Sequence, residues 1–387
     1  MQSDTKTKSN KQFMILSTIA ILLVVICHFA DTVNDAMFVF PPTSFFMSLF
    51  IFISGYFYNI KKEENIGKSI WHKFKKVMIP FFIINLCYGI FCSILRYYNI
   101  INYGTPINLY TLFIQPFINN NQFIFNFPSW FVPTFFVTYV VYLLIHKLSS
   151  TISNIKILKN SKVKFLNEYI LLVIFLIVGI VAVYFKDITK AEDLRTLLLK
   201  VAFFLPMFQI GFLYQTKWQK YDDKIKTALY LPILIIINLI LIKIFGNLRY
   251  DMHEFSGFQG NVLLPFITSV TGILFWLRIS RVLSKWLGDN KVINYISNNT
   301  FSIMSHHLLY IFLFNIILYW INLKYQVPYF DITKFKDGWI YIYKIPNWDL
   351  LLQIAYVMIG VGGPIITKYV FDKLRVNIKL YKSKKIR

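Results

Sequence analysis

The sequence predicts an all-α, polytopic integral membrane helix bundle of about ten transmembrane helices with both termini cytoplasmic. Three observations predict it. Hydrophobic residues make up 56% of the 387 and charged residues 15%, against about 25% charged in an ordinary soluble protein. Mean hydropathy is +0.54. A water-soluble fold cannot hide that much apolar surface, so the bilayer is the solvent and the first partner. The apolar residues also gather into ten runs, each long enough to cross about 30 Å of hydrocarbon at about 1.5 Å per residue. Finally, 30 of the 41 lysines and arginines, counting Lys368 at the inner end of the last run, fall on one side of those runs and 9 on the other, which sets the orientation with the N-terminus inside. The same composition excludes disorder, collagen and coiled coil. The net charge of +23 is that of a nucleic-acid binder, but its placement beside the spans is not. These are topology signals, each worth about 1 kcal/mol next to anionic lipid, and no nucleic-acid partner is expected.

The organisation is a basic N-terminus over 1–12, a membrane domain over 13–370 and a basic tail over 371–387. The spans are expected in order as follows. Residues 13–30 form a retained first span, because no small-x-small cleavage site follows the apolar run. Residues 38–58 follow, then 77–95, entered from a basic loop that runs to Lys76. Next come 130–146 and 168–185. Residues 196–215 enclose Lys200, and 227–245 enclose Lys243. The last three are 260–277, 296–320 and 349–370. Pro41, Pro80, Pro133, Pro206, Pro232, Pro265 and Pro364 fall inside spans, where helices in a bundle tolerate them. Two outside loops are long, 96–129 and 321–348. Both are rich in Asn, Tyr, Phe and Pro, which suits sugar contacts or the membrane interface equally. About 17 residues follow the last span, so chemistry is expected among the helices. In the tail, Lys379, Lys382, Lys384, Lys385 and Arg387 read as juxtamembrane charge.

Cys27, Cys87 and Cys92 lie inside apolar runs without metal-ligand spacing, so they read as small hydrophobes. No metal is expected. Bulky Ile26 before Cys27 argues against a lipoprotein processing site.

Ionisable groups inside spans are costly, so each is a functional candidate. His28 ends the first span after the run Ile21 to Cys27. Asp31 follows at i+3, on the same face if the helix continues that far. The pair reads either as an oriented general base or as an interfacial histidine with an exposed acid. His306 and His307 stand early in the ninth span. Neighbours on a helix point about 100° apart, so the two cannot share one face. One is expected to face a polar interior and the other a neighbouring helix. Asn298, Asn299 and Thr300 before them read as a helix start or as substrate contacts. His72 with Lys73, Lys75 and Lys76 reads as positive-inside charge or as the landing site of a phosphate-rich cytoplasmic cofactor. His146 and His253 read as ordinary. Lys200 can snorkel outward and is a weak candidate. Gly360, Gly362 and Gly363 mark close helix packing, since no strand precedes them as a nucleotide loop would need.

Five segments in register resemble the acyltransferase-3 family of integral membrane acyltransferases. They are the histidine closing Ile19 to His28, the run Phe50-Ile51-Phe52-Ile53-Ser54-Gly55-Tyr56, and the basic entry Lys75-Lys76-Val77-Met78-Ile79-Pro80. The remaining two are Pro128-Ser129-Trp130-Phe131-Val132-Pro133 and the late stretch Asn299 to His307. By spacing, His307 rather than His306 takes the late histidine position. One position departs. The family usually carries Arg or Lys where this chain has Ser17, with an acid often nearby, where this chain has Met14. The departure puts the chain in a divergent branch, in which another cation substitutes from elsewhere.

The resemblance implies acyl transfer, commonly acetyl, from cytoplasmic acyl-CoA to a hydroxyl of a cell-envelope polysaccharide, as in exopolysaccharide or capsule biosynthesis, or of its lipid-linked glycan precursor. On that reading His28, His307 and Asp31 are catalytic. Lys73, Lys75 and Lys76 hold the acyl-CoA, and Ser54, Trp130 and Asn299 contact substrate. Ser54, Asn85 or Trp130 supply oxyanion donors. Glycan synthesis machinery is a further expected partner, and a bacterial cytoplasmic membrane the expected location. A polysaccharide or lipid-linked sugar transporter or flippase is the alternative reading of the same polar groups.

Overall fold

The computed structural model describes residues 2–118, 123–153, 161–188, 194–338 and 340–385. Lys6, Lys8 and the tail cations Lys379, Lys382, Lys384, Lys385 and Arg387 lie outside the described side chains. The elements in chain order are α1 (Gln2–Phe29), α2 (Asp31–Ala36), α3 (Phe46–Tyr56), α4 (Ile66–Tyr97), α5 (Gln115–Ile118), α6 (Phe131–Ser153), α7 (Ser161–Tyr184) and α8 (Leu194–Leu213). They continue as α9 (Gln219–Asp222), α10 (Thr227–Phe245), α11 (Leu264–Leu287), α12 (Lys291–Asn298), α13 (Thr300–Tyr325), α14 (Ile332–Asp337) and α15 (Asp349–Lys385). Among the described residues the only strand pairing is an isolated bridge between Asp251 and Ser256. The chain is an all-α polytopic membrane bundle.

Nine helical stretches among the described residues are long and apolar enough to cross a membrane. Each overlaps one of the expected spans, and the second expected span is the one without such a stretch. Over 38–58 only the 11 residues of α3 are α-helical. The cause is Pro41-Pro42. Two successive prolines remove two backbone donors, and the second forces Pro41 into extended geometry. Pro41 sits at φ −59°, ψ 125°. The non-helical part is held by neighbours instead. Phe40 stacks on Phe275 at 4.1 Å, the Ser44 carbonyl accepts from Ser269 Oγ at 3.1 Å, and Ser48 meets Ser269 at 3.0 Å. By contrast Pro80, Pro206, Pro232 and Pro364 lie within continuous helices, as expected.

Burial ranks the spans. The stretch from α8 through α9 is the centre of the bundle, with 78% of its most apolar window buried, and α10 is the lipid-facing rim, with 11%. The centre is tight because α3 and α8 cross at two glycines. A Cβ on Gly55 would stand 2.0 Å from the Phe208 carbonyl oxygen, and one on Gly211 would stand 2.1 Å from that of Phe52. Close backbone approach between small residues is how helices associate in lipid, where no hydrophobic drive operates. Gly363 plays the same part between α13 and α15, where a Cβ would lie 2.2 Å from the Tyr310 ring. Gly360 brings α15 beside Val25 and His307. Both fit the packing role expected of that glycine cluster.

A buried ion network fastens α9 to α11. Asp222 accepts from Arg278 at 2.8 Å, Arg281 at 2.5 Å and Tyr214 at 2.7 Å. Two arginines on one carboxylate, with a tyrosine as third donor, satisfy the acid in low dielectric.

Candidate active site

His28 lies in the last turn of α1 and His307 two turns into α13. Their rings face each other with centroids 5.1 Å apart and planes at 60°. The sequence separates them by 279 positions, and packing of α1 against α13 and α15 unites them. Each ring is anchored in the same way. His28 Nδ1 is 2.7 Å from the Val24 carbonyl oxygen and His307 Nδ1 is 2.9 Å from that of Ile303. A carbonyl can only accept, so in the neutral rings Nδ1 carries the hydrogen and Nε2 keeps its lone pair. His307 is fully buried and its Nε2 has no hydrogen-bond partner. His28 is half-buried. Phe29 packs on His307 at 5.7 Å and closes one side.

His306 faces elsewhere, as the 100° rule requires. Its Nδ1 is 2.6 Å from the Tyr88 hydroxyl on α4. Next to it, a buried polar chain joins α4 to α13 through the turn before α6. Asn126 Nδ2 donates to Asn85 at 3.3 Å, Ser129 donates to Asn126 at 2.5 Å, and Ser129 lies 3.4 Å from Ser305. Asn85 is thus part of a wall that also contains Ser129, from the Trp130 motif, and Ser305, two residues before His307.

The other expected site residues are distributed more widely. Asp31 does not stand beside His28. The helix ends at Phe29, Ala30 leaves helical geometry at φ −127°, ψ 69°, and Asp31 begins α2. It is exposed and pairs with Lys344 at 3.3 Å, so the i+3 relation is lost at the break. Ser17 donates to the Phe13 carbonyl of its own helix at 2.8 Å and brings no charge. In the Ser54-Gly55-Tyr56 motif the glycine makes the α3–α8 crossing. Tyr56 stacks on Phe13 at 3.6 Å, and Ser54 is half-buried. Asn299 stands at the N-cap position of α13 without a side-chain capping bond, and its amide donates back to the Tyr295 carbonyl of α12 at 2.8 Å. Trp130 is buried and carries the Lys200 ammonium over its ring at 4.5 Å.

Lys200 does not snorkel. It is fully buried and donates to the His253 carbonyl, because the segment after α10 folds over it and supplies an oxygen. His253 in turn packs on Trp130 at 5.6 Å and on Phe127 at 4.7 Å. Neither contact is visible in the sequence, because each joins segments remote along the chain.

The expected basic loop is helical from Ile66 onward, and helical spacing regroups its lysines. Lys73 and Lys76 are three apart and share a face, whereas Lys75 turns toward Trp71, 5.5 Å from its ring. The third member of the cluster is Lys62. Its ammonium lies 5.7 Å from the Tyr58 ring and 5.6 Å from Tyr139, and Lys73 lies 4.8 Å from Tyr139 and 4.2 Å from Phe135. Burial lowers the Lys62 pKa, and the Lys76 charge lowers it further. Among the described residues no carboxylate pairs with Lys62, Lys73 or Lys76. These are three cations without acid partners, two of them on aromatic faces, an arrangement with the chemistry to receive a polyanion.

Also among the described residues, no group of three His, Cys, Asp or Glu is placed to hold a metal ion. The histidine pair, with both Nδ1 atoms bound to backbone carbonyls, offers acid–base or nucleophilic imidazole chemistry at Nε2. A model of the acyltransferase-3 family, described as an acyltransferase domain, matches residues 15–368. Neither the curated proteins nor the solved structures yield a match to the chain.

Proposed function

The chain belongs to the acyltransferase-3 family, a membrane acyltransferase, and on that premise we propose that it moves an acyl group, acetyl by preference, from cytoplasmic acyl-CoA to a hydroxyl of a cell-envelope polysaccharide or its lipid-linked precursor. The observation that carries the reading is the His28–His307 pair, 5.1 Å apart, with both Nδ1 atoms committed to backbone carbonyls.

The chemistry follows from that tautomer. Nε2 of His28 takes the proton of the acceptor hydroxyl as its oxygen attacks the thioester carbonyl. The tetrahedral oxyanion collapses, the carbon–sulfur bond breaks, and the CoA thiolate takes the proton back from the imidazolium. Hydroxyl and thioester are consumed, and ester and thiol are formed. His307, desolvated and fixed, orients the reacting groups from the opposite side. The wall of Asn85, Asn126, Ser129 and Ser305 contains amide and hydroxyl donors of the kind an oxyanion needs.

Lys62, Lys73 and Lys76 are suited to the phosphates of CoA at the lysine-rich face, which this reading takes as cytoplasmic. His28 is 17 residues beyond Lys11 on α1, about 25 Å along the helix axis. The donor's pantetheine arm therefore has to extend deep into the bundle. The acceptor approaches from the opposite face, where the aromatic segments 96–118 and 321–338 lie.

The test is the content of base-labile ester on envelope glycan from cells carrying wild-type protein, His28→Ala or no protein. Ester that depends on the protein and on His28 supports the proposal. Glycan that is exported unmodified in a protein-dependent way would replace it with transport.

A further inference from the structure

At the lysine-rich end of the bundle a second set of buried ionisable groups plays no part in the chemistry above. His146, on α6, lies between two carboxylates. Glu63 Oε1, from the turn before α4, is 2.6 Å from its Nδ1, and Glu168 Oε1, on α7, is 3.3 Å from its Nε2. The His146 side chain is 3% exposed, Glu63 4% and Glu168 17%. The two carboxylates are hydrogen-bonded to further groups. Tyr58 donates to Glu63 at 2.8 Å and Ser150 donates to it at 3.4 Å. Gln209 donates to Glu168 at 2.9 Å and accepts from Tyr142 at 2.6 Å.

Burying two acids and an imidazole carries a desolvation penalty that pairing must offset, and apolar residues of like volume would serve stability as well. The arrangement does something an apolar plug would not: it fixes the path of one short turn. Ile60–Glu64 is a single 3-10 turn, held at its end by Glu63. Lys62 is the residue immediately before Glu63. Tyr58, whose hydroxyl is bonded to Glu63, also lies under the Lys62 ammonium. Lys62 is consequently delivered toward Lys73 and Lys76, although like charges repel it and burial disfavours its charge. A free turn would relax by letting that long side chain swing into water.

We infer that Glu63, His146 and Glu168 are positioning residues that hold Lys62 in the cationic cluster and so set its affinity for a polyphosphate ligand. This rests on the donor assignment for that cluster, and the experiment separates the two. Full-length protein in nanodiscs is titrated with desulfo-CoA, an unreactive donor analogue carrying all the phosphates. The four proteins are wild type, Lys62→Met, Glu63→Gln and the double variant. His146→Gln and Glu63→Asp are added as a second break and a conservative rescue.

The expected result is a rise in Kd of roughly tenfold for Lys62→Met and for Glu63→Gln, with no further rise in the double variant, because Glu63 acts through Lys62. His146→Gln should match Glu63→Gln, and Glu63→Asp should recover part of the loss. KM for acyl-CoA should rise with kcat unchanged. Multiplying effects in the double variant, or a Glu63→Gln Kd equal to wild type, overturns the inference. The second measurement needs no ligand: trace acetylation of lysines read by mass spectrometry. Glu63→Gln should change the labelling rate of Lys62 several-fold and leave Lys285 as it was. An unchanged Lys62 rate overturns the positioning role. A changed rate with no desulfo-CoA binding by wild type keeps it and removes the donor assignment.

Discussion

The His28 and His307 rings stand 5.1 Å apart, each with Nδ1 turned to the carbonyl four residues before it. A histidine held this way has one nitrogen committed to structure and one available to a ligand. The helix backbone fixes the tautomer, so each ring is oriented without the carboxylate expected at Asp31.

Removing the His28 ring should nearly abolish the reaction while leaving the fold. His28→Ala is expected to lower ester formation by about 10²–10⁴, the range for loss of a general base. His307→Ala should impair it to a smaller degree and His306→Ala least, since His306 faces Tyr88. The measurement is ester per unit of correctly inserted protein. Wild-type esterification by His28→Ala would end the mechanism. Asp31→Asn should change it little, because Asp31 pairs with exposed Lys344.

Gly55 should be intolerant for packing reasons alone. A methyl there would stand 2.0 Å from the Phe208 carbonyl oxygen, so α3 and α8 must separate. Gly55→Ala should cost about 1–3 kcal/mol, the range for overpacking, visible as a lower melting temperature in detergent. Gly67→Ala is the control, because nothing lies within 4 Å of its Cβ position. Equal melting temperatures for the two variants would contradict the crossing.

Charge reversal should discriminate among lysines that are neighbours in sequence. Lys76→Glu is expected to raise the acyl-CoA requirement roughly tenfold or more, about 1.4 kcal/mol, with acceptor use unchanged. Lys75→Glu should do far less, because its side chain leans on Trp71. Equal effects from the two would return the site to a diffuse basic patch.

The acid limb of stability should trace to Glu63. Burial pushes its pKa up, but contacts with His146, Tyr58 and Ser150 outweigh burial and leave it below the ordinary carboxylate value. A carboxylate with a lowered pKa in the folded state stabilises fully above its unfolded pKa, near 4.3. That contribution is lost as pH falls through the folded value. Wild-type melting temperature should therefore fall on acidification below about pH 4. Glu63→Gln should start lower at pH 6 and fall less. Parallel curves for the two proteins would show that the contact contributes nothing.

The spans were legible because apolar length and lysine asymmetry are local properties of the sequence. Expected and observed spans overlap everywhere except around Pro41-Pro42, since six tolerated prolines and one intolerable pair look alike until neighbours are known. The five family segments pointed to both histidines of the pair, and the 100° rule separated His306 from His307. What stayed hidden were relations made only by tertiary contact. Lys62 joins Lys73 and Lys76 across the start of α4, Glu63 meets His146 over 83 positions, and Lys200 finds a carbonyl on a distant segment. Asp31 leaves the His28 face because one residue, Ala30, ends a helix that hydropathy alone would continue.

The half-length second span bears on how the protein is made. At about 1.5 Å per residue its 11 helical residues cover about 16 Å, roughly half of the hydrocarbon. The remainder borrows its partners from Ser269 and Phe275 on α11, more than 200 residues downstream in synthesis. Until α11 emerges from the ribosome, the Ser44 carbonyl lacks its Ser269 donor and Phe40 its stacking partner, and lipid cannot replace the hydrogen bond. The segment must therefore wait in a sheltered, partly hydrated place during insertion and enter its final seat late. Nascent chains arrested before Leu264 should keep residues 38–45 accessible to water-borne reagents, whereas chains extended past Leu287 should not.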